Sequence, residues 1–217
     1  MRQAAADVLQ FQACRCGQHD RLTFFQVIGS SDLAVSGPRH HLLHGCMVWF
    51  SYPDGMDHEE TQSLTPIASD SPWLERCGTL LRPQNDPALF GPADADLYFA
   101  ADGQPRFYVM RIRRRPPVLK SMTRHHRVSQ CLGSADAQPW WLAMAPSTDS
   151  GCAPPASSIA LIRFQAGEAF KLHPGTWHAG PFVQEQSALF FNLELRTTNE
   201  DDHNSLALAQ LLRLNLI

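Results

Sequence analysis

The chain has 217 residues, 44% of them hydrophobic, with 18 Lys+Arg against 21 Asp+Glu, a formal charge of −3 and a pI near 6.3. That length allows one ordinary domain with a sizeable core, and the mildly acidic balance argues against a general nucleic-acid or membrane-surface role. No apolar run reaches the roughly 18 residues of a membrane span, Met1–Gly17 lacks a secretory apolar segment, and the six cysteines show no repeated C-x-x-C spacing. They read as free thiols, and the expected compartment is the cytoplasm.

In chain order, residues 1–55 are poorly patterned. Cys14, Cys16 and His19 suggest half of a metal knuckle whose second half is missing, and only Leu22–Ile28 and Cys46–Phe50 look strand-like. A short helix is expected from Pro66 to about Arg76, ending at Gly78. Strand-like runs follow at Gly78–Leu81, Asp96–Ala100, Phe107–Ile112, Val128–Leu132, Trp140–Ala145, Ile159–Phe164, Ala169–His173 and Ser187–Leu195, separated by turn signals such as Asp102-Gly103 and Ala166-Gly167. Short strands at this spacing predict an all-β barrel or sandwich. The basic run Arg111-Ile112-Arg113-Arg114-Arg115 reads as an exposed strand leading into the Pro116-Pro117 break; the other reading sends one of these arginines into a pocket to meet a carboxylate. The final segment, Ser205–Ile217, reads as an apolar C-terminal helix capped by Asn204 or Ser205 that either packs on the barrel or forms a dimer contact.

Two clusters carry the chemistry. The first is Arg124-His125-His126-Arg127-Val128-Ser129-Gln130; the second is His173-Pro174-Gly175-Thr176-Trp177-His178. Pro174-Gly175 suits the two central positions of a type II turn, which predicts a hairpin with His173 and His178 on adjacent strands facing one ligand. Arg124 can hold a carboxylate bidentately, with Lys171 assisting. His173 and His178 can move protons near neutral pH, and Gln130 can give and accept one hydrogen bond each. Such a set suits a small anionic substrate with an amide or ureido group. The competing reading is a divalent metal such as Mn²⁺ held by two or three ligands, His125 and His178 with or without His173, in a cupin-type barrel, where Thr123 and Gln130 occupy positions that usually hold better ligands.

At these residues the sequence resembles the ureidoglycolate lyase family, single-domain proteins of the cupin superfamily. Arg124-His125 followed by Gln130, then His173, Trp177, His178 and Pro181, match its two motifs, and the likeness covers about residues 62–204. Thr123, His126 and Ala179 stand where the family has Glu, Pro and a further His. Glu194 stands at an acidic position, and Leu195 displaces the following arginine to Arg196, whose facing is left open. The resemblance implies a cupin-like double-stranded β-helix barrel and cleavage of ureidoglycolate to glyoxylate and urea in purine and allantoin nitrogen catabolism, with no cofactor. It further implies Arg124, Gln130, Lys171, Trp177 and Glu194 about the substrate, and His173, His178 and His125 as proton carriers. A homodimer is expected, and no nucleic-acid or membrane partner. The resemblance also divides the chain into an extension, residues 1–55, and a domain, 56–217, with translation expected to start at Met56.

Overall fold

The computed structural model describes residues 62–86 and 89–217, which fall within one compact unit, Glu60–Ile217. The extension, its two strand-like runs and the start at Met56 lie outside the described residues. Twelve strands are present among those described: β1 (Ser63–Leu64), β2 (Pro66–Ala68), β3 (Gly78–Leu81), β4 (Pro105–Arg113), β5 (Val118–Arg124), β6 (Cys131–Ser134), β7 (Trp140–Ala145), β8 (Ala160–Phe164), β9 (Ala169–Leu172), β10 (Trp177–Phe182), β11 (Ser187–Leu195) and β12 (Asn204–Leu214). One four-residue α-helix, α1 (Thr198–Asp201), interrupts them. The all-β expectation holds. The strands form a seven-stranded sheet, β1-β12-β5-β10-β7-β8-β2, and a five-stranded sheet, β3-β9-β6-β11-β4.

The strand β7 explains how the layers are held. Its sequence, Trp-Trp-Leu-Ala-Met-Ala, is apolar at every position and buried at every position. Because side chains alternate across a strand, Trp140, Leu142 and Met144 enter one core with Phe164, Phe170 and Phe190, which come from both sheets. Trp141, Ala143 and Ala145 enter a second core with Leu119, Met122, Trp177, Leu212 and Leu214. In the first core Trp140 stacks on Phe164 at 4.1 Å and meets Phe190 edge-on at 5.5 Å, geometries that aromatic quadrupoles favour. A strand buried on both faces loses the usual polar alternation, which is why this run reads as continuous hydrophobicity.

Both predicted helices are corrected. Pro66–Ala68 is a strand running parallel to β8, and only Pro72–Arg76 turns helically, as a 3₁₀ segment with the Ser71 hydroxyl accepting from the Trp73 amide. The Ser71-Pro72 step sets this start, since the residue before proline avoids the helical region. The C-terminal helix is instead β12, antiparallel to β5 and joined along its end by β1. Leu206, Leu208, Leu212 and Leu214 share the second core, a period-two spacing that Ala209 and Leu211 obscure in the sequence. Tertiary pairing overrides the helical propensity of this leucine-rich run.

The hairpin at Pro174-Gly175 is also corrected. The turn itself forms, with Gly175 at φ 82 and the Thr176 amide donating to the His173 carbonyl at 3.1 Å. However, β9 belongs to the five-stranded sheet and β10 to the seven-stranded one. The chain turns a corner between layers, because the His173 amide stays engaged with the Cys77 carbonyl at 2.8 Å while His178 pairs with Thr123.

Candidate functional site

A cavity of about 340 Å³ opens between the sheets. Strands β4, β6 and β11 wall one side with Tyr108, Gln130, Asn192 and Glu194; β5 and β10 wall the other with Thr123 and His178, and His125 follows β5 directly. Alternation decides which residues reach it. Along β11, Ala188 and Phe190 enter the core and Asn192 and Glu194 continue the same inward row, whereas Phe191 is exposed. Along β10, His178 and Gly180 line the cavity and Trp177 enters the second core on the opposite face.

The eight sequence-predicted residues therefore divide. His125, Gln130, His178 and Glu194 meet in the cavity. Arg124 and Trp177 meet behind it, the guanidinium lying 4.3 Å over the indole ring. Arg124 also donates to the Thr148 carbonyl at 2.8 Å, the Ser150 carbonyl at 3.5 Å and Asn204 Oδ1 at 3.3 Å. That arginine ties β5 to β12 and to the 148–150 loop. Lys171 and His173 meet elsewhere again, Lys171 Nζ standing 3.4 Å from His173 Nδ1, and His173 borders a separate cleft beside Ser69 and Leu74. Lys171 lies between Phe170 and Leu172, which both face the core, so alternation turns it to the other face of β9, where it is still buried. Arg196, past the end of β11, is exposed and donates to Gln104 Oε1 at 3.3 Å.

The two cavity imidazoles share one arrangement. Nδ1 of His178 faces the Thr176 carbonyl at 3.2 Å and Nδ1 of His125 faces the Asp202 carbonyl. A carbonyl only accepts, so each Nδ1 carries the proton and each Nε2 carries the lone pair. The rings lie 5.1 Å apart, with His203 5.6 Å beyond His125. Burial pushes the His178 pKa down to about 3, with the neighbouring His125 adding to the effect. It lowers His125 too, against the opposing pull of its bond to Asp202. The Asp202 carboxylate fixes the backbone here, accepting from the amides of His126 and Arg127 at 2.8 Å each.

No protein-family model and no curated protein matches this chain. The geometry alone must carry the reading. Among the described residues no three His, Cys, Asp or Glu side chains gather so as to hold a metal ion. His125, His178, His203 and Glu194 all line the cavity but do not converge on one point as the ligands of a resident metal do.

Six residues that the sequence reading did not place in the site complete it. Asn192 donates to Tyr108 Oη at 2.9 Å and to Glu194 Oε2 at 3.0 Å. Their signal was β11 alternation from Glu194 and the cross-strand pairing of Asn192 with Tyr108. At the exposed rim stands Arg115, its guanidinium 4.5 Å over Phe182 and Nη2 donating to the Pro181 carbonyl at 3.4 Å; it is the member of the basic run that reaches a pocket. His203 and Asp202, on the corner between α1 and β12, had no local signal. Gly180 lets β10 bend around the cavity, since its φ is 141 and a Cβ there would meet Leu142 Cδ1 at 2.7 Å.

Proposed function

We propose that this cavity cleaves ureidoglycolate to glyoxylate and urea, as a lyase of cupin type. The observation that carries the reading is the pair of buried, neutral imidazoles with free Nε2 atoms in a cavity that has a cation at its rim and unpaired amide oxygens within. Ureidoglycolate is a carbinolamide bearing a carboxylate. Arg115 takes the carboxylate in place of Arg124, whose guanidinium is already engaged with two carbonyls and an amide oxygen.

The chemistry needs one proton moved between neighbouring atoms. A neutral imidazole accepts the proton of the carbinol hydroxyl, the oxygen's electron pair forms the carbonyl of glyoxylate, and the C–N bond breaks. The same imidazole then returns the proton to the departing ureido nitrogen, so atoms and charge balance without a redox or phosphate cofactor. His125 is the better shuttle and His178 the hydrogen-bond acceptor, because a group titrating near 3 binds a proton too weakly to carry it at neutral pH. Gln130 gives one N–H to Glu194 at 3.2 Å and keeps its carbonyl oxygen and its second N–H for the ureido group.

The test is steady-state turnover of ureidoglycolate. His125→Ala is expected to lower kcat by about 10²–10⁴-fold, the range of a positioned general base, and His178→Ala to lower kcat/KM by at least about tenfold. Unchanged turnover in both variants would remove the assignment.

A further inference from the structure

Glu194 lies almost wholly inside the protein, 2% exposed, and its Oε2 receives two amide nitrogens, Gln130 Nε2 at 3.2 Å and Asn192 Nδ2 at 3.0 Å. A carboxylate accepts, so it decides which way both amides turn: nitrogens toward Glu194, oxygens away. Gln130 Oε1 and Asn192 Oδ1 are consequently buried without a partner. The second Asn192 N–H goes to Tyr108 Oη, leaving that amide nothing further to donate. Glu194 Oε1 also lacks a hydrogen bond, with Arg106 Nη1 at 3.6 Å as an ion pair only. The nearby Nε2 atoms of His125 and His178 carry lone pairs as well. Apart from the second Gln130 N–H and the Tyr108 hydroxyl proton, the unpaired groups gathered here are therefore acceptors, and the cation Arg115 stands at the rim.

We propose that Glu194 is a positioning residue that locks the Gln130 and Asn192 amides with their oxygens to the cavity, making it selective for a small carboxylic acid whose far end is a planar N–H donor. Ureido and guanidino nitrogens share that chemistry; a carboxylate of the same shape does not. This deepens the proposed function and rests on its placement of the substrate carboxylate at Arg115. Buried acceptors without partners penalise any ligand that brings another acceptor to them, which is why such sites discriminate strongly between isosteres.

The experiment is calorimetric binding to the full chain of three stable acids of similar shape: N-carbamoylglycine, guanidinoacetate and succinate. The two nitrogen acids are expected to bind at least about tenfold more tightly than succinate, and whichever binds tighter identifies the head group. Glu194→Gln can donate as well as accept, so it frees the amides to turn, and the preference is expected to shrink to about threefold or less. Asn192→Ala removes one fixed acceptor and is expected to weaken the nitrogen acids while succinate binds no more weakly than before, its repulsion from that oxygen being relieved. A buried carboxylate that merely holds the fold would lower all three affinities together. Should Glu194→Gln fail to fold, the Asn192→Ala affinity ratio decides. Equal affinities in the unaltered protein, no binding of any of the three, or an unchanged ratio in the variants would overturn the proposal. A retained preference without ureidoglycolate turnover would overturn the lyase reading and leave this one standing.

Discussion

His125 and His178 each commit Nδ1–H to a backbone carbonyl, so burial acts on rings whose Nε2 alone is left to titrate. An unfolded histidine titrates near 6.5, and both folded values are lower. Between those limits the unfolded chain binds protons that the folded chain does not. Their contribution is thus complete above about pH 6.5 and is lost as pH falls, for His178 down to about 3. The expected slope is about 1.4 kcal/mol per pH unit for each imidazole while it lasts. Denaturant titrations at about pH 7 and about pH 5 check this; a stability that does not fall would contradict it. The two arginines make the complementary case. Arg124→Ala removes a buried guanidinium with three acceptors and an indole under it, and is expected to cost roughly 2–4 kcal/mol of stability with little change in KM. Arg115→Ala is expected to raise KM about 100-fold with little change in the unfolding midpoint. Thermal unfolding and kinetics on both variants check the pair, and the reverse pattern would return the carboxylate to Arg124.

At the scale of elements, β4 is the edge of the five-stranded sheet, and Phe107 and Val109 on it are 66% and 53% exposed. Phe107 stacks on exposed Phe191 of β11 at 5.7 Å. Exposed strand edges and apolar faces seek cover. The sequence offers a barrel edge or the terminal helix for the expected homodimer, and with β12 in place of that helix the β4 edge is the remaining route. Sedimentation is expected to give a dimer that Phe107→Asp dissociates; a monomer in the unaltered chain would remove it. Much of this architecture was legible. The run Ser187–Leu195 matches β11 and Trp140–Ala145 matches β7, since dense β-branched or aromatic runs between turn signals have few other folds. Val118–Arg124 was not read as a strand, and Trp177–Phe182 only as far as the hairpin reading put His178 on one. Lys120 and Ser121 break the apolar pattern of the first, and Gly180-Pro181 disguises the second as a turn. Asp96–Ala100 keeps only one bridge, Phe99 to Val128. For the site, His125, Gln130 and His178 stand in the two clusters and Glu194 comes only with the family resemblance; the structure gathers these four in one cavity. The error lay in facing: Trp177 adjoins His178 and Arg124 adjoins His125, yet each neighbour points away from the cavity, which only the sheet assignment reveals.

Across the whole described unit, β7 of the seven-stranded sheet is buried on both faces, one of them against the five-stranded sheet, and the inter-sheet space that the core does not fill becomes the cavity. The proposed chemistry and the packing are therefore divided by layer, with His125, His178 and the Glu194 amide pair between the sheets and Arg124, Trp177 and β12 on the far side. No helix among the described residues is long and apolar enough to cross a membrane. The central claim is that the inter-sheet cavity breaks a C–N bond by imidazole proton transfer. Its most direct test is release of urea and glyoxylate from ureidoglycolate by the purified full chain, with and without added Mn²⁺. Equimolar release that is independent of metal and lost in His125→Ala is the predicted result. No release under either condition, or release only with Mn²⁺, which would make His125 and His178 ligands rather than proton carriers, would contradict it.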